Sequence, residues 1–428
     1  MNKMAIKSFK LKTFALRIIL PGAILVCLIG VYFFAKWSFA NTIAVQAVNQ
    51  QSVAPKEMGE FAVNLASSDP QTHYALAVLY DKTFLPDDLP KSLAEYELAT
   101  AFSPNDFRLW LALGKAREQN GNASGAENAL RKAVSLAPNY SQTQWTLGNN
   151  LLRQNKTEEA FKEIRKAVEA DSNYANPAVS TAWQTFDGDI SQIKQNLGDS
   201  SQTKAAIALF LAKQKRFDEA FESWNALSDV EKKDVLKPTG EELFNLMLGA
   251  KKYRSALLIQ RQLSGTEKIA VGKISNGDFE SNEKTEVTKD FEWQIADGAQ
   301  PQIGVDNQQK RGGNYSLGFV FNSADGKDFR AVSQIVAIES GKKYSFETFY
   351  KTELKTSATL RWEIADAADG KVLATSEAIS ANADWTNLKT EFTAPQTLEA
   401  VIIRLVREQC KTATCPISGK IWFDDFSL

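Results

Sequence analysis

The chain has 428 residues, a length that suggests roughly two to four domains. Its 44% hydrophobic and 24% charged residues exclude a disordered tail and a collagen-like rod. The formal net charge of −1, from 50 Lys+Arg and 51 Asp+Glu, gives no reason to expect nucleic acid as a partner. The single histidine, His73, and the three cysteines argue against a catalytic triad, a histidine zinc site and a cysteine-rich zinc module.

An apolar segment over 18–35 follows a basic N-terminus. It carries no charge in eighteen positions, about the minimum for crossing a hydrocarbon core of roughly 30 Å. The basic residues before it are Lys3, Lys7, Lys10, Lys12 and Arg17, and no acidic residue accompanies them. By the positive-inside rule, 1–17 form a cytoplasmic tail and the rest of the chain is exported.

Two interpretations of this segment remain open. A retained single-pass signal anchor over 18–38 is favoured by the length of the apolar run and by the bulky Trp37 near its end. A secretory signal would instead be cut after the small residues Ser38 and Ala40. In a bacterium, which we assume, the first interpretation places the anchor in the inner membrane and the bulk in the periplasm. The polar stretch 39–70 is predicted to be a linker, partly helical.

A period of 34 residues follows. Three positions of the repeat recur at this spacing. One is occupied by Ala99, Ala133 and Ala167, the second by Pro104, Pro138 and Ser172, and the third by Leu79, Leu113 and Leu147. The pattern resembles the tetratricopeptide repeat, whose units are two antiparallel helices that approach closely at small residues. An all-α solenoid over 71–270 is therefore predicted, with 107–140 as its best-matching unit.

Arrays of this family usually bind peptides or protein helices in a groove lined by the first helix of each unit. By resemblance, the groove would be lined by Tyr74, Ala77, Asp81, Arg108, Leu111, Lys115, Gln142, Trp145 and Asn149. Two alternatives remain open: Trp145 packs against the next unit, and the polar members are ordinary solvated surface.

From about 271 the apolar period changes from 3.6 to 2, and short strand-like runs alternate with turn residues. About eight strands in 271–428 predict an all-β sandwich of two sheets. The landmarks are ISNGDFE from Ile274, GGNYSL from Gly312, FTAP from Phe392 and GKIWFDDFSL from Gly419. In this order they resemble the galactose-binding-like jelly rolls, in particular carbohydrate-binding modules of families 4, 9 and 22. The resemblance implies polysaccharide binding and a structural calcium ion.

A calcium site is also expected from the residues themselves. Pairing of the domain's two ends would bring Asp278 and Glu280 near Asp424 and Asp425. Carboxylates at such short distances repel one another unless a cation lies between them. The resemblance favours Glu280 and Asp425 as ligands. The alternative is that Asp278 and Asp424 serve turns and solvent.

Strand alternation predicts one polar sheet face for ligand binding, formed by Glu347, Phe349, Lys351, Arg361, Glu363 and Arg404. Paired charges on a solvated sheet are the alternative. Trp362 and Trp385 are assigned to the core. Cys410 and Cys415, with four residues between them, are predicted to form a disulfide, which fits an oxidising compartment; two free thiols in the loop are the alternative.

The sequence contains no P-loop, dinucleotide fingerprint or metal-hydrolase motif, and we expect no enzyme activity. The favoured hypothesis is an anchored, exported adaptor in cell-envelope or exopolysaccharide synthesis or export. Its repeats would bind a protein partner and its sandwich a polysaccharide. The alternative is a purely structural protein scaffold whose sandwich binds no sugar.

Overall fold

The structure is a computed structural model and describes residues 14–49, 54–265, 269–281, 290–323, 329–408, 410 and 414–428. Most of the predicted cytoplasmic tail, including Lys3, Lys7, Lys10 and Lys12, lies outside these residues. The chain forms two compact units, one ending at Gly198 and one beginning at Asp199.

The described helices of the first unit are α1 (Phe14–Asn49), α2 (Pro55–Leu65), α3 (Pro70–Asp81), α4 (Leu89–Phe102), α5 (Phe107–Gln119), α6 (Ala123–Leu136), α7 (Ser141–Arg153), α8 (Thr157–Ala170), a 3-10 helix (Ser172–Tyr174), α9 (Ala175–Thr185) and α10 (Ile190–Leu197). Those of the second unit are α11 (Ser201–Lys213), α12 (Phe217–Asn225), α13 (Asp229–Lys233), α14 (Lys237–Gly249) and α15 (Tyr253–Ser264). Successive helices pack as antiparallel pairs, so the predicted solenoid is confirmed.

Small residues at the repeat positions explain how closely the paired helices approach. A Cβ atom on Gly114 of α5 would lie 2.6 Å from Leu130 Cδ2 of α6. On Gly148 of α7 it would lie 2.7 Å from Ile164 Cγ1 of α8. Polar caps begin several helices; the Asp69 carboxylate, for example, accepts a hydrogen bond from the backbone N–H of Thr72 at the start of α3.

The segment predicted as a linker is mostly helix. The apolar α1 runs without interruption to Asn49, and α2 follows from Pro55. Ala44 of α1 packs in a small cluster with Ala62 of α2 and Ala75 of α3. Alanine contributes little to hydropathy, which explains why this packed stretch has the sequence character of a linker.

The C-terminal strands are β1 (Gln294–Ile295), β2 (Gln302–Asp306), β3 (Ser316–Ser323), β4 (Val332–Ala337), β5 (Lys343–Thr356), β6 (Leu360–Asp366), β7 (Val372–Thr375), β8 (Asn382–Thr393), β9 (Ala400–Arg407) and β10 (Ile417–Ser427). They form two antiparallel sheets. Sheet I has the order β1-β4-β9-β6-β7, and sheet II the order β2-β3-β10-β5-β8. The predicted sandwich is confirmed.

Aromatic side chains fill the space between the two sheets. Trp362 of sheet I is fully buried, and its ring meets the ring of Phe423 of sheet II with centroids 5.3 Å apart. Trp385, which the sequence assigned to the core, is only half-buried and lies outside the core cluster. It stands where the β5–β8 register shifts between Tyr350 and Thr352, and this irregularity interrupts the alternation used to place it. A disulfide joins Cys410 and Cys415.

Helix α15 is attached to the sandwich within the second unit. The Arg254 guanidinium donates from Nε and Nη2 to the Glu399 carboxylate, each at 3.0 Å. The hydroxyl of Tyr253 donates to the carbonyl of Ala367 at 3.0 Å, just after β6. The end of sheet I nearest Glu399 is therefore in contact with the last helix.

Candidate functional site

The six residues predicted to share one ligand-binding face lie on two different sheets. Glu347, Phe349 and Lys351 belong to β5 of sheet II, whereas Arg361, Glu363 and Arg404 belong to β6 and β9 of sheet I. The apolar sides of both sheets turn toward one core, so their polar sides face opposite directions. The prediction of a single face is wrong, because alternation along a strand does not reveal which sheet the strand joins.

On sheet II, the Phe349 ring is stacked against Arg311, a residue that was not among the predicted site residues. The Arg311 guanidinium carbon lies 3.5 Å from the centroid of the Phe349 ring. Beside this stack, the Lys389 ammonium lies 2.9 Å from the Glu347 carboxylate and lowers the pKa of Glu347 through their hydrogen bond. Because the guanidinium covers this face of the ring, a sugar would meet the planar guanidinium and the neighbouring charged groups, which suit its hydroxyls.

Trp422 of β10 is a second missed residue on the same outer side. It stands between inward-facing Ile421 and Phe423 and pairs across the ladder with Lys351 and Gly318. A Cβ atom on Gly318 would lie 3.3 Å from Trp422 Cδ1, so glycine leaves room for the indole against β3. The alternation in KIWFDDF was the available signal for Trp422.

The Trp422 indole also fixes the neighbouring β2. Its Nε1–H donates to the Asp306 carboxylate at 2.9 Å. Burial acts to raise the pKa of Asp306, but this hydrogen bond and those from the backbone N–H groups of Gln308 and Gln309 outweigh it and lower the pKa. Trp422 is 4% exposed, so it underlies the outer face more than it forms its surface.

The charged residues predicted to bind a ligand are paired within the domain. On sheet I, Arg404 lies 2.8 Å from Glu363, and Arg361 lies 2.6 Å from Glu408. On sheet II, Lys351 lies 3.3 Å from Asp384. This pairing agrees with the alternative of solvated, internally compensated charges. The binding roles of these residues stay predictions.

The carboxylates proposed for calcium do gather at one loop. Glu280 Oε1 accepts the backbone N–H groups of Asn314 at 2.6 Å and Tyr315 at 2.9 Å, and Oε2 accepts the Asn314 amide at 2.9 Å. These bonds, that from the backbone of Asn314 foremost, lower the pKa of Glu280. Asp278 is exposed and accepts the backbone N–H of Glu280 at 3.4 Å, as expected for a turn residue.

Asp424 and Asp425 hold the other side of the same loop. The Asp424 carboxylate is buried and accepts the backbone N–H groups of Arg311 at 2.9 Å and Gly312 at 3.3 Å. Its burial raises the pKa of Asp424. The Asp425 carboxylate accepts a hydrogen bond from the guanidinium of Arg311.

This donor set does not fit a calcium ion. Calcium requires six to eight oxygen ligands, whereas the oxygens here accept N–H bonds, and Arg311 already supplies a positive charge to Asp425. Within the described residues, no group of three or more His, Cys, Asp or Glu side chains is arranged to hold a metal. The calcium site stays a prediction from the sequence.

In the repeat region, two of the predicted groove residues hold their own repeat together. The Asp81 carboxylate accepts hydrogen bonds from Ser92 Oγ at 2.7 Å and from the Tyr96 hydroxyl at 3.1 Å. The Tyr74 ring packs against the Tyr96 ring with centroids 5.8 Å apart. Burial, with the nearby Asp81 charge, raises the pKa of Tyr96.

The other predicted groove residues differ in how many contacts they make with neighbouring side chains and backbone groups. Trp145 packs against Tyr174 of the 3-10 helix that follows α8, with ring centroids 5.2 Å apart, so this contact lies within its own repeat. Arg108 pairs with Asp106 at 2.6 Å, and Lys115 is exposed. The Gln142 side-chain carbonyl accepts from the Tyr140 hydroxyl at 3.2 Å, and the Asn149 amide donates to the Trp145 carbonyl at 2.8 Å.

Comparison with known proteins supports both parts of this architecture. Segments 107–140 and 141–174 match the family model described as "Tetratricopeptide repeat". Residues 274–428 match a family model of the carbohydrate-binding-module 4/9 type described as "BppA domain 1". The chain therefore contains a tetratricopeptide region, a protein-interaction architecture, and a carbohydrate-binding-module-like domain, and both resemblances are confirmed.

Individual relatives are distant. The peroxisomal targeting signal receptor of Saccharomyces cerevisiae is 27% identical over 92 residues, which cover 22% of this chain and 14% of that protein. The PilF structure of Pseudomonas aeruginosa is 16% identical and covers 51% of this chain and 99% of its own, with a TM-score of 0.35. The CBM22-1–GH10 modules of the Clostridium thermocellum xylanase 10B are 17% identical over 37% of this chain and 28% of theirs, with a TM-score of 0.25. At these values neither structure indicates what this chain binds.

Proposed function

We propose that the chain is a non-catalytic adaptor anchored in the bacterial inner membrane. Its tetratricopeptide region would bind a protein partner, and its sandwich a polysaccharide, in cell-envelope or exopolysaccharide synthesis or export. The single observation that carries the glycan assignment is the match of 274–428 to a carbohydrate-binding-module family. The apolar α1 supports the anchor, since one described helix, Ile19–Asn49, is long and apolar enough to cross a membrane.

The basic N-terminal tail supports an orientation with the N-terminus in the cytoplasm and the bulk in the periplasm. The Cys410–Cys415 disulfide supports the same compartment, because disulfides persist where the environment is oxidising. We propose that the anchor is retained. Ala40, the last residue before the alternative cut, is fully buried within the continuous α1.

Sheet II is the face we assign to the glycan. It carries the Arg311–Phe349 stack and the neighbouring Glu347–Lys389 pair. Sheet I has no aromatic counterpart among its three predicted residues, and α15 contacts its β4 strand and the loops at that end.

Isothermal titration of the detergent-solubilised full chain against bacterial and plant polysaccharides tests this assignment. We expect saturable binding by the wild type, at least tenfold weaker binding by Phe349→Ala, and unchanged binding by the matched control Arg404→Ala on sheet I. Loss in the control but not in Phe349→Ala would move the site to sheet I. Absence of binding by the folded wild type would contradict the glycan assignment.

The second candidate is a protein scaffold whose sandwich binds no sugar. The internal pairing of the predicted binding charges favours it, since each of these charged groups already has a partner within the domain. In either case we assign the protein partner to the solenoid groove. Lys115 is exposed there and Asp81 is engaged internally, so an acidic peptide is the complementary ligand. Lys115→Glu should then weaken partner capture without changing glycan binding.

A further inference from the structure

Helix α1 is longer than a membrane span and becomes part of the repeat array. Its 36 residues extend about 54 Å at 1.5 Å per residue. A hydrocarbon core of about 30 Å takes up about 20 residues, so a span that begins near 18 ends near Trp37. The remaining turns, up to Asn49, rise from the bilayer surface. Ala40, Ala44 and Ala47 in this part are 0%, 1% and 2% exposed.

The helices that pack on this part fix the direction of the first repeat. Helix α2 returns toward the bilayer, because its Ala62 meets Ala44 and it continues downward to Leu65. Helix α3 rises again, since Lys82 just after its end donates to the carbonyl of Val48 near the end of α1, at 2.8 Å.

The turn between α2 and α3, residues 66–69, therefore lies about 6 Å nearer the bilayer than Ala44. This is the level of Ala40. The interfacial layer adds about 5–7 Å on each side of the hydrocarbon core, so this first turn falls within it or at its outer border.

The corresponding turns of the next repeats stand beside the first. The His73 ring at the start of α3 lies 5.5 Å from the Phe102 ring at the end of α4, where the second turn begins. The Phe107 ring after that turn lies 4.9 Å from the Tyr140 ring in the third turn. These contacts connect the turns 66–69, 103–106 and 137–140 into one edge, which we call the turn edge.

The turn edge exposes aromatic rings at the level where membrane proteins place them. Phe102 is 43% exposed and Tyr140 is 44% exposed. Aromatic side chains are favoured at the membrane–water interface because the ring meets the apolar boundary while a polar group, such as the Tyr140 hydroxyl, stays hydrated.

We propose that the turn edge lies against the surface of the same bilayer that holds α1, with Phe102 and Tyr140 in the headgroup layer. The occupant that meets the exposed Phe102 and Tyr140 rings is lipid, because the continuous α1 sets the distance of the turn edge from the membrane. The opposite edge of these first repeats then faces the aqueous compartment and is open to a protein partner. Phe84, on the turn after α3, belongs to that opposite edge and is 88% exposed. This inference depends on the retained anchor but not on glycan binding.

Site-specific labelling of the full chain tests the proposal. A fluorescent label would be attached to Phe102→Cys, Tyr140→Cys or Phe84→Cys in a Cys27→Ser background. Cys27 is the free cysteine of α1, whereas Cys410 and Cys415 are joined in a disulfide. Phe84→Cys is the matched control, an exposed aromatic position on the opposite edge. Circular dichroism checks that each variant is folded.

In phosphatidylcholine–phosphatidylglycerol vesicles, we expect headgroup-region spin-labelled lipid to quench the labels at 102 and 140 at least twofold more than the label at 84. Iodide in the water should quench the label at 84 at least twofold more than the other two. Equal iodide quenching at all three positions would overturn the proposal. Protection of 102 and 140 from both quenchers would also overturn it, because protein rather than lipid would then cover the edge.

Discussion

The ion pair between Arg254 of α15 and Glu399 before β9 should couple the last helix to the sandwich. The guanidinium makes two hydrogen bonds of 3.0 Å to the carboxylate, and the Arg254 backbone N–H adds a third at 3.3 Å. Charge-assisted hydrogen bonds contribute about 1.5–3 kcal/mol when shielded, and exposed ion pairs below about 1 kcal/mol. Because the Arg254 and Glu399 side chains are 38% and 22% exposed, we expect a coupling free energy of about 1–2 kcal/mol.

A double-mutant cycle of Arg254→Ala, Glu399→Ala and the double variant measures this coupling in the full chain. Hydrogen exchange of the α15 amides reports the local opening free energy even if the whole chain does not unfold in one step. We expect the summed destabilisation of the two single variants to exceed that of the double variant by about 1–2 kcal/mol, the coupling free energy. Additivity within about 0.3 kcal/mol would show that the ion pair does not couple α15 to the sandwich, since independent sites behave in that way.

Three further predictions concern stability. Burial lowers the pKa of His73, but the hydrogen bond and charge of Glu95 and the hydrogen bond to the Ser67 carbonyl outweigh it and raise the pKa above 6.5. The His73–Glu95 pair therefore stabilises the fold fully below pH 6.5 and loses this contribution as the pH rises through the folded pKa. The thermal midpoint of the wild type should fall over that pH range relative to that of His73→Gln. EDTA should leave the melting temperature unchanged, because the donors around Glu280 do not fit calcium; a chelator-induced fall that calcium reverses would restore the sequence prediction. Gly148→Ala should lower the free energy of unfolding by about 1–3 kcal/mol through overpacking against Ile164, offset by about 1 kcal/mol of helix propensity. A Cβ atom on Gly249 would have nothing within 4 Å, so the control Gly249→Ala should not destabilise the protein. Equal effects of the two substitutions in urea unfolding would contradict this packing.

The helical repeats and the β-strands could be predicted because repeat spacing and strand alternation depend on contacts between nearby residues. The 34-residue spacing of Gly114 and Gly148 marks places where a side chain would collide with the partner helix, so the repeats can be read without tertiary information. The alternation around Phe346 and Trp362 likewise identifies inward-facing side chains, and both are fully buried.

The grouping of strands into sheets could not be read in this way. Lys351 and Arg361 are only ten positions apart along the chain, yet they lie on opposite sheets because β5 pairs with β8 and β10 whereas β6 pairs with β7 and β9. Pairings over such sequence distances are tertiary information. The contact of Arg311 with Phe349 has the same origin, because a loop preceding β3 reaches the surface of β5.

An adaptor that joins a membrane to a glycan should make vesicles that carry the full chain also carry a polysaccharide. A fluorescent polysaccharide that binds in titration would be mixed with vesicles containing the wild type, Phe349→Ala or Arg404→Ala, and the vesicles floated on a density gradient. We predict that the polysaccharide floats with the wild type and with Arg404→Ala, and stays at the bottom with Phe349→Ala. Polysaccharide that stays at the bottom while the folded wild type floats would contradict the adaptor function and favour the protein scaffold.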